Sequence, residues 1–354
     1  MRIVLAAIFS LPVQLSAAPL DAFLSADTHM NAGTGRLELA YDAFNSTLDV
    51  FGVRANDPVY GGTRVGDYSG WHLRGIYAPS DRISIDGGLW KRRIEYWQDQ
   101  YSISSWHAAA QYRFFEYGGP MDFSAALRVG AWGNSADSLS NSSPTTFQGQ
   151  TLDTLKAIKP NDLQKQVDLL ATWRPGDQTD WSAFIGTGTS RVTVDAMTAT
   201  LTTANGCAFN LVFTPTGSIA TLAAPCGNLV DATVSTPTSV LQELSYDAHY
   251  SHAGTMLQWH NDDWQLTGGY HFQKLNRSGI DARIAERGGV AYKTNRIVVG
   301  EILRKIAQNS AVFFRAQLMS NQFVGEIPFT YNGFTASKFD HRYGFVSFGM
   351  TFAL

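Results

Sequence analysis

Apolar side chains recur at every second position in runs that come in pairs around very short polar turns. Because the side chains of a β-strand point alternately to its two faces, each pair of runs predicts an antiparallel hairpin with one apolar face and one mixed face. Five such turns occur: PSDR (79–82), GGPM (118–121), PGDQTD (175–180), NDD (261–263) and AQNS (307–310).

The connections between these hairpins are long. They cover residues 45–70, 97–104, 133–166, 196–243, 274–295 and 320–342. Alternation of short turns with long loops is typical of outer-membrane barrels, which have tight periplasmic turns and extended extracellular loops. Ten hairpin strands, a first strand at 35–45 and a last at 343–354 make 12. The sequence therefore predicts an all-β fold, a transmembrane antiparallel up-and-down β-barrel.

The two faces of these strands differ in the way that a membrane barrel requires. Large aromatic side chains lie on the apolar face close to the short turns, where amphipathic rings collect at a bilayer interface. The other face carries many charges, including Glu38, which are costly in an apolar core and are accepted by a wet lumen. The predicted pore-lining residues are Asp42, Arg74, Asp86, Arg92, Arg113, Arg128, Asp168, Arg174 and Arg315.

The first residues have the pattern of a secretory signal peptide. One Arg precedes an apolar run at 3–11, and small residues follow at 16–18. This order of a charged, an apolar and a small-residue region directs export and ends at a cleavage site. We predict a signal peptide at 1–17, a short periplasmic segment at 18–34 and the barrel at 35–354.

The closing stretch YGFVSFGMTFAL (343–354) places Val346, Phe348 and Met350 on one face of a strand. It resembles the C-terminal assembly signal of Gram-negative outer-membrane β-barrel proteins. The resemblance implies insertion into the outer membrane by the barrel-assembly machinery, with outer-membrane lipids and lipopolysaccharide as partners. It covers the architecture of nearly the whole mature chain and names no single family.

Composition narrows the function and the redox state. The formal net charge is −3 at pH 7, and the absence of strong basic character argues against nucleic-acid binding. Two cysteines, Cys207 and Cys226, lie in the connection 196–243. In an oxidising compartment an even number favours one disulfide over two free thiols or a metal pair. No cofactor is predicted.

The stretch HYSHAG (249–254) is similar to the His-x-Ser element of lipid A 3-O-deacylases and of outer-membrane phospholipase A. The resemblance implies His249 as a base and Ser251 as a nucleophile on the barrel exterior. An activated serine needs a third group that orients its base. Asp247 or Asn276 could supply that group. The alternative is that these are ordinary rim residues near lipopolysaccharide headgroups.

Two further clusters carry charge or metal-binding groups. His252 and His271 have the inward parity and lie opposite each other across a hairpin. Two imidazoles could bind a metal or respond to pH, but a zinc site needs three or four ligands, so no metal site is predicted. Lys91, Arg92 and Arg93 lie where the third strand leaves the bilayer. They could bind lipopolysaccharide phosphates or form the solvated base of a loop.

The stretch TLDTLKAIKPNDLQKQ (151–166) is partly helical in pattern, because Leu155 and Ile158 are three residues apart and Pro160 follows as a stop. It belongs to the connection 133–166. This long connection is the segment that we expect to fold into the barrel as a plug.

Three functions remain open, because the fold does not choose among them. The expected one is a narrow passive channel for small polar or anionic solutes, in which Arg outnumbers acid on the inward faces. The second is a structural or display barrel with a plugged lumen. The third is a lipid A or phospholipid hydrolase that uses His249 and Ser251. The catalytic motif is short, so a non-enzymatic barrel is favoured.

Overall fold

The computed structural model describes ten segments of the chain. The predicted signal peptide at 1–17 lies outside these segments, as does most of the predicted periplasmic segment at 18–34. Among the described residues, no helix is long and apolar enough to cross a membrane. The segments are 30–44, 65–96, 99–118, 122–142, 144–147, 150–237, 240–286, 288–321, 324–336 and 342–354.

The described residues are mostly β-strand. One short α-helix, α1 (Ile280–Glu286), and two 3-10 turns (Leu241–Glu243 and Pro328–Thr330) accompany the strands. In chain order the strands are β1 (Gly35–Phe44), β2 (Val65–Ser80), β3 (Ile83–Tyr96), β4 (Asp99–Tyr117), β5 (Asp122–Ala136), β6 (Ser138–Asn141), β7 (Thr145–Phe147), β8 (Gln150–Ile158), β9 (Asn161–Gly176), β10 (Thr179–Thr193), β11 (Ala196–Thr202), β12 (Ala208–Thr214), β13 (Gly217–Leu222), β14 (Thr233–Thr236), β15 (Tyr246–His260), β16 (Trp264–Arg277), β17 (Thr294–Ala307), β18 (Ser310–Met319) and β19 (Tyr343–Ala353).

Twelve strands form one closed antiparallel barrel, as the sequence predicts. Their order around the barrel is β1, β19, β18, β17, β16, β15, β10, β9, β5, β4, β3 and β2. The barrel closes where β1 pairs with β19, from Arg36 opposite Ala353 to Ala43 opposite Val346. Because every barrel strand has two neighbours, the barrel leaves no edge whose backbone groups would meet lipid unpaired.

The barrel is apolar outside and polar inside. Outward side chains such as Ile185 (62% exposed) and Phe348 (63% exposed) form an apolar belt, while inward charged side chains are buried. Tyr77, Trp181 and Trp259 are exposed beside the short turns, at the level where a bilayer interface accommodates amphipathic rings. The alternation seen in the sequence therefore corresponds to one lipid-facing and one lumen-facing side of each strand.

A second sheet lies at the loop end of the barrel and is called here the extracellular sheet. Its strand order is β14, β13, β12, β11, β8 and β6, with β7 paired to β8. Leu152, Leu155, Met197 and Leu244 contribute to its apolar core. The predicted disulfide is confirmed, because Cys207 and Cys226 are bonded at the base of the β12–β13 hairpin.

The helical pattern expected at 151–166 is wrong. This stretch forms β8, a turn at Lys159, which has φ 47°, and the start of β9. A register shift opposite Thr200 and Leu201 places an extra residue in β8, and this β-bulge interrupts the two-residue alternation between Leu152 and Leu155. Pairing with β6 and β11 on both sides supplies the backbone hydrogen bonds that a helix would have made internally.

The connection predicted at 97–104 is also shorter than expected. Strands β3 and β4 stay paired up to Tyr96 opposite Asp99, so most of that connection is strand. Hydrophobic alternation ends where the strands leave the bilayer, but strand pairing does not depend on it. The sequence pattern therefore marks the apolar belt rather than the strand ends.

Candidate functional site: the barrel lumen and its extracellular plug

A first network of charges lies on the inner wall and joins β1, β18 and β17. The Arg315 guanidinium donates to both Glu38 oxygens, Nη1 to Oε1 and Nη2 to Oε2, at 3.1 Å each. Its Nε also donates to Oε2 of Glu301 at 2.7 Å. A bidentate pair of this kind fixes the orientation of the guanidinium as well as neutralising it. One cation therefore holds two buried carboxylates together.

A histidine extends this network toward the loop end. His72 Nδ1 lies 2.8 Å from Oδ2 of Asp42, and its Nε2 lies 2.9 Å from Oε1 of Glu38. Ser347 donates its hydroxyl to Oδ1 of Asp42 at 2.6 Å. Hydrogen bonds thus run without a break from Ser347 through Asp42, His72 and Glu38 to Arg315.

A second network centres on Arg128, which is fully buried at 0% exposure. Its Nη2 donates to Oδ1 of Asp86 at 2.9 Å, and its Nη1 lies 3.9 Å from Oδ2 of Asp168. His107 Nε2 lies 2.7 Å from the same Asp86 oxygen. Asp168 lies directly opposite Arg128 on the neighbouring strand β9, and Asp86 lies two strands away on β3. The network therefore joins consecutive strands along one side of the inner wall.

His252 and His271 continue the second network. Nδ1 of His252 lies 3.1 Å from Nε2 of His271, and Nε2 of His252 lies 2.9 Å from Oδ1 of Asp168. The imidazoles thus bind each other directly. Among the described residues no group of three or more His, Cys, Asp or Glu side chains could hold a metal. His252 therefore links His271 to Asp168.

Aromatic rings fill the lumen above the second network. Trp90 and Trp132 pack with their ring centroids 4.7 Å apart, and the His107 ring lies 5.3 Å from that of Trp90. The Arg92 guanidinium lies 5.2 Å from the centroid of Trp132, within the range of a cation–π contact. Both indoles are buried, so they occupy space that a channel would leave to water.

A segment called here the plug folds into the loop end of the lumen. It consists of residues 324–336, in the connection between β18 and β19. Asn134 donates Nδ2 to the Glu326 carbonyl at 3.1 Å, and Asn295 donates Nδ2 to the Val324 carbonyl at 2.8 Å. Arg92 Nη2 lies 3.3 Å from Oε1 of Glu326. Side chains from β3, β5 and β17 therefore hold the plug.

The expected plug was a different segment. The connection 133–166 supplies strands β6 to β8 of the extracellular sheet rather than a lumenal loop. The true plug has apolar side chains, Ile327, Phe329 and Tyr331, that are buried in one cluster. Burial of these side chains against the barrel mouth accounts for its inward position.

The plug packs against the neighbouring loop as well as the barrel wall. Ile280 and Ile284 of α1 lie in the same apolar cluster as Ile327. The Arg277 guanidinium lies 4.0 Å from the Tyr331 ring centroid, and the Tyr331 hydroxyl accepts a 3.1 Å hydrogen bond from the Tyr292 amide. Burial raises the pKa of that hydroxyl, so it is neutral at physiological pH.

A small apolar cavity separates the plug from the extracellular sheet. Its volume is about 60 Å³, and Leu155, Val194, Leu244, Phe329 and Phe334 contribute to its lining. Apolar side chains from the sheet and the plug thus meet at one place. The extracellular sheet is therefore packed onto the mouth of the barrel rather than joined to it only by the chain.

The predicted pore-lining residues all have the inward parity, and most are buried in the networks above. Arg74 and Arg174 keep partial exposure, 13% and 21% of their side chains. Near the short turns, Arg174 donates Nε to Oδ1 of Asp180 at 2.6 Å. Arg113 Nη1 lies 3.2 Å from Oε1 of Glu116. Arg174 therefore pairs with the neighbouring strand, and Arg113 pairs within its own strand β4.

Several interior residues were not predicted from the sequence, and five of them show why. His72, His107 and Glu301 belong to the charge networks, and Trp90 and Trp132 fill the space beside them. Parity could have identified all five, because each lies an even number of positions from an inward residue of the same strand. They were not predicted because the list of pore-lining residues included only Arg and Asp side chains.

The Lys91, Arg92 and Arg93 run is divided between the two sides of the barrel wall. Arg92 points inward to Glu326, whereas Lys91 and Arg93 are exposed on the outside. Arg93 Nη2 donates to Oε1 of Gln100 at 2.5 Å, and Nε lies 3.8 Å from Oε1 of Glu95. Three consecutive strand residues cannot form one outer cluster.

The candidate hydrolytic residues lie on the outside of β15. His249 and Ser251 are exposed and share the outward face, with no hydrogen bond between them in the described part of the chain. Asp247 Oδ1 accepts a 2.8 Å hydrogen bond from Arg191 Nε instead of orienting His249. Asn276 lies opposite His249 on β16. His249 and Ser251 thus lie on the same face of β15, but they do not form a catalytic triad with Asp247.

Known proteins resemble this chain in their three-dimensional structures and not in their sequences. No protein-family model matches the sequence, and no curated protein matches it. The translocator domain of the autotransporter NalP from Neisseria meningitidis is 10% identical, with 94% of this chain and 92% of that chain covered and a TM-score of 0.46. The monoaromatic hydrocarbon channel CymD is 11% identical, with coverages of 97% and 95% and a TM-score of 0.37. The toluene transporter TbuX of Ralstonia pickettii is 10% identical, with coverages of 96% and 92% and a TM-score of 0.36.

The barrel itself identifies the class of protein. Twelve antiparallel strands close into a barrel, its outward face is an apolar belt and its inward face is charged. In this arrangement every backbone polar group of the wall finds a partner within the sheet, as a lipid environment requires. The chain is therefore a Gram-negative outer-membrane β-barrel protein and resides in the outer membrane.

Proposed function

We propose that this protein is a display barrel, in which a closed lumen anchors the extracellular sheet at the cell surface. The observation that carries the proposal is the complete burial of Arg128, at 0% exposure, on the inward face of β5. A guanidinium that lined an open channel would be in contact with water. Here Asp86, Asp168 and the surrounding side chains occupy that space.

The plug, at the loop end of the lumen, also supports the display function. Residues 324–336 fill the loop end above Trp90 and Trp132, and they are held from several strands. A solute would have to pass the plug, the aromatic rings and the Arg128 network in series. These groups contact one another through Arg92 and His107, and together they favour a lumen that stabilises the barrel rather than one that passes solutes.

The extracellular sheet has the properties of a displayed surface. It is packed onto the plug through Leu155 and Phe329, and one disulfide joins Cys207 to Cys226. Exposed apolar side chains on it include Ile219, Val230 and Val234, with Val230 77% exposed. Exposed apolar side chains that recur on one module are common where a partner binds.

A narrow channel remains the second candidate, and the polarity of the interior favours it. Buried charges cost free energy that an apolar filling would avoid, so a charged lumen is easier to explain if water enters it in some state. The expected excess of Arg is not present, because the described inward acids also include Glu38, Asp162, Glu301 and Glu326. Selectivity would then depend on which pairs line the opened path.

A planar-bilayer recording of the refolded protein decides between these functions. A display barrel predicts no regular conductance steps from the intact chain. A control with a flexible linker inserted at 215–216, in the β12–β13 turn, should also be silent. Regular steps from the intact chain would contradict the closed lumen and support the channel.

A third form, in which 324–336 is replaced by a Gly-Ser linker of equal length, locates the obstruction. Conductance from this form alone would identify the plug as the closing element. Silence from this form would show that the Arg128 network and the indoles close the lumen without the plug. Circular dichroism and heat-modified mobility of each form check that its barrel is folded.

A further inference from the structure

The outer face of the barrel changes from apolar to basic side chains along five neighbouring strands, β9, β10, β15, β16 and β17. Within the belt the outward positions hold apolar side chains such as Leu169, Ile185 and Leu257. Toward the loop end the outward positions hold Arg191, Lys274 and Arg296, which are exposed, and Lys165, which is half-buried. These four residues are called here the basic patch.

Strand register places the members of the basic patch close together. Lys165 lies opposite Thr189, which lies opposite His249 on the next strand. Lys274 lies opposite Ser251 on one side and Thr294 on the other, so Arg296 is diagonal to it. Neighbouring strands are about 4.8 Å apart, so three strand spacings and an offset of two residues along the strands separate Lys165 from Lys274 by roughly 16 Å.

The basic patch carries a net positive charge that this face does not neutralise. Among the described outward positions of these five strands beyond the belt, Asp247 is the acid, and it is paired with Arg191 at 2.8 Å. No carboxylate of the described chain forms a salt bridge with Lys165, Lys274 or Arg296. Hydroxyl groups of Thr187, Thr189 and Ser251 lie between these cations on the same face.

We propose that the basic patch binds the phosphate groups of lipopolysaccharide in the outer leaflet. The patch begins where the apolar belt ends on the loop side, which is the level of the headgroups in the outer leaflet. Lysine and arginine are the side chains that bind phosphate oxygens most strongly. The belt directly below, with Leu169 and Ile185, offers acyl chains a surface. A lipid can use both surfaces at once, and a free phosphate ion cannot.

The other outward cations make a natural contrast. Arg93 is already engaged by Gln100 and Glu95. Arg304 lies at the opposite, periplasmic end of β17, with its guanidinium 5.1 Å from the Trp264 ring centroid. Arg93 and Arg304 are therefore exposed, but they do not belong to a cluster of unpaired cations beside the outer leaflet.

The test is a binding titration of the purified full-length protein in nanodiscs of zwitterionic lipid. The probes are bisphosphorylated lipid A and the same lipid A after removal of its phosphates. We expect the phosphorylated form to bind at least about tenfold more tightly, a difference that is readily resolved. Equal binding of the two forms would overturn the proposal without the need for any variant.

Variants then locate the site. The triple variant Lys165→Gln, Lys274→Gln and Arg296→Gln should weaken binding of phosphorylated lipid A about tenfold. The control variant Lys91→Gln, Arg93→Gln and Arg304→Gln removes the same charge elsewhere and should stay within about twofold. Equal loss in both variants would show a general charge effect and would overturn the proposal. Full competition by equimolar inorganic phosphate would overturn the lipid as the ligand.

Discussion

At the scale of single residues, the interior of this barrel depends on exact charge pairing. Arg128 faces Asp86 and Asp168, and Arg315 faces Glu38 and Glu301. Each buried cation therefore has acids on two sides. A buried charge without a partner strongly lowers the stability of the fold, whereas a complete buried ion pair changes it little. The residues of each network therefore depend on one another. A change at one member affects all the others in its network.

One glycine makes the second network possible. A Cβ built at Gly186 would clash with the Asp168 carboxylate, the His252 ring and the Val167 carbonyl. We predict that Gly186→Ala lowers the free energy of unfolding by about 1–3 kcal/mol, because the extra carbon overpacks the interior. Urea unfolding of the refolded barrel, followed by tryptophan fluorescence, measures this loss.

A matched substitution controls for the general effect of replacing glycine in a strand. Gly268 lies on the outward face of β16, and no atom lies within 4 Å of the site of its Cβ. Gly268→Ala should therefore leave stability unchanged or raise it slightly. If both variants lost the same stability, the close approach at Gly186 would have no special role.

At the scale of elements, the disulfide belongs to the extracellular sheet and not to the barrel. Cys207 and Cys226 are 19 residues apart and bracket the β12–β13 hairpin. We predict that the double variant Cys207→Ser, Cys226→Ser destabilises the sheet by about 3 kcal/mol in the loop-entropy model. Limited proteolysis of this variant should cut the hairpin faster than it cuts the wild type.

The barrel should not respond to the same change. Its strands pair only with one another in the closed barrel, so its heat-modified mobility should be that of the wild type. Loss of barrel mobility in the double variant would mean that sheet and barrel unfold as one unit. Treating the wild type with reductant gives an independent version of the same comparison.

Hairpins were predictable from the sequence because the two sides of each strand meet different solvents. Alternation therefore appears locally, as it does before and after the turn at 79–82. The plug and β8 were not predictable in this way. The apolar residues of the plug are buried by partners such as α1 that are distant in sequence. The bulge in β8 disguises its period. A local sequence pattern does not show which distant residues will bury a segment or where a strand will contain a bulge.

At the scale of the whole molecule, the orientation of the barrel makes a direct prediction. An epitope tag inserted at 215–216, in the turn between β12 and β13, should be labelled by antibody on intact cells. The same tag at 177–178, in the turn between β9 and β10, should be labelled only after the outer membrane is permeabilised. Long loops outside and short turns inside are the arrangement of this class of barrel. Labelling of the second tag alone on intact cells would reverse the orientation.

The position of the plug along the chain has a consequence for assembly. The plug lies between β18 and β19, and its Glu326 carbonyl accepts a hydrogen bond from Asn134, 192 residues away. Arg315 and Glu38, which join across the closing strands, are 277 residues apart. Contacts so distant in sequence form late, because the entropy of closing long loops must be overcome first. We therefore expect the plug to dock last, when the final hairpin joins the barrel, so that the mouth of a nascent barrel stays uncovered until its wall is complete.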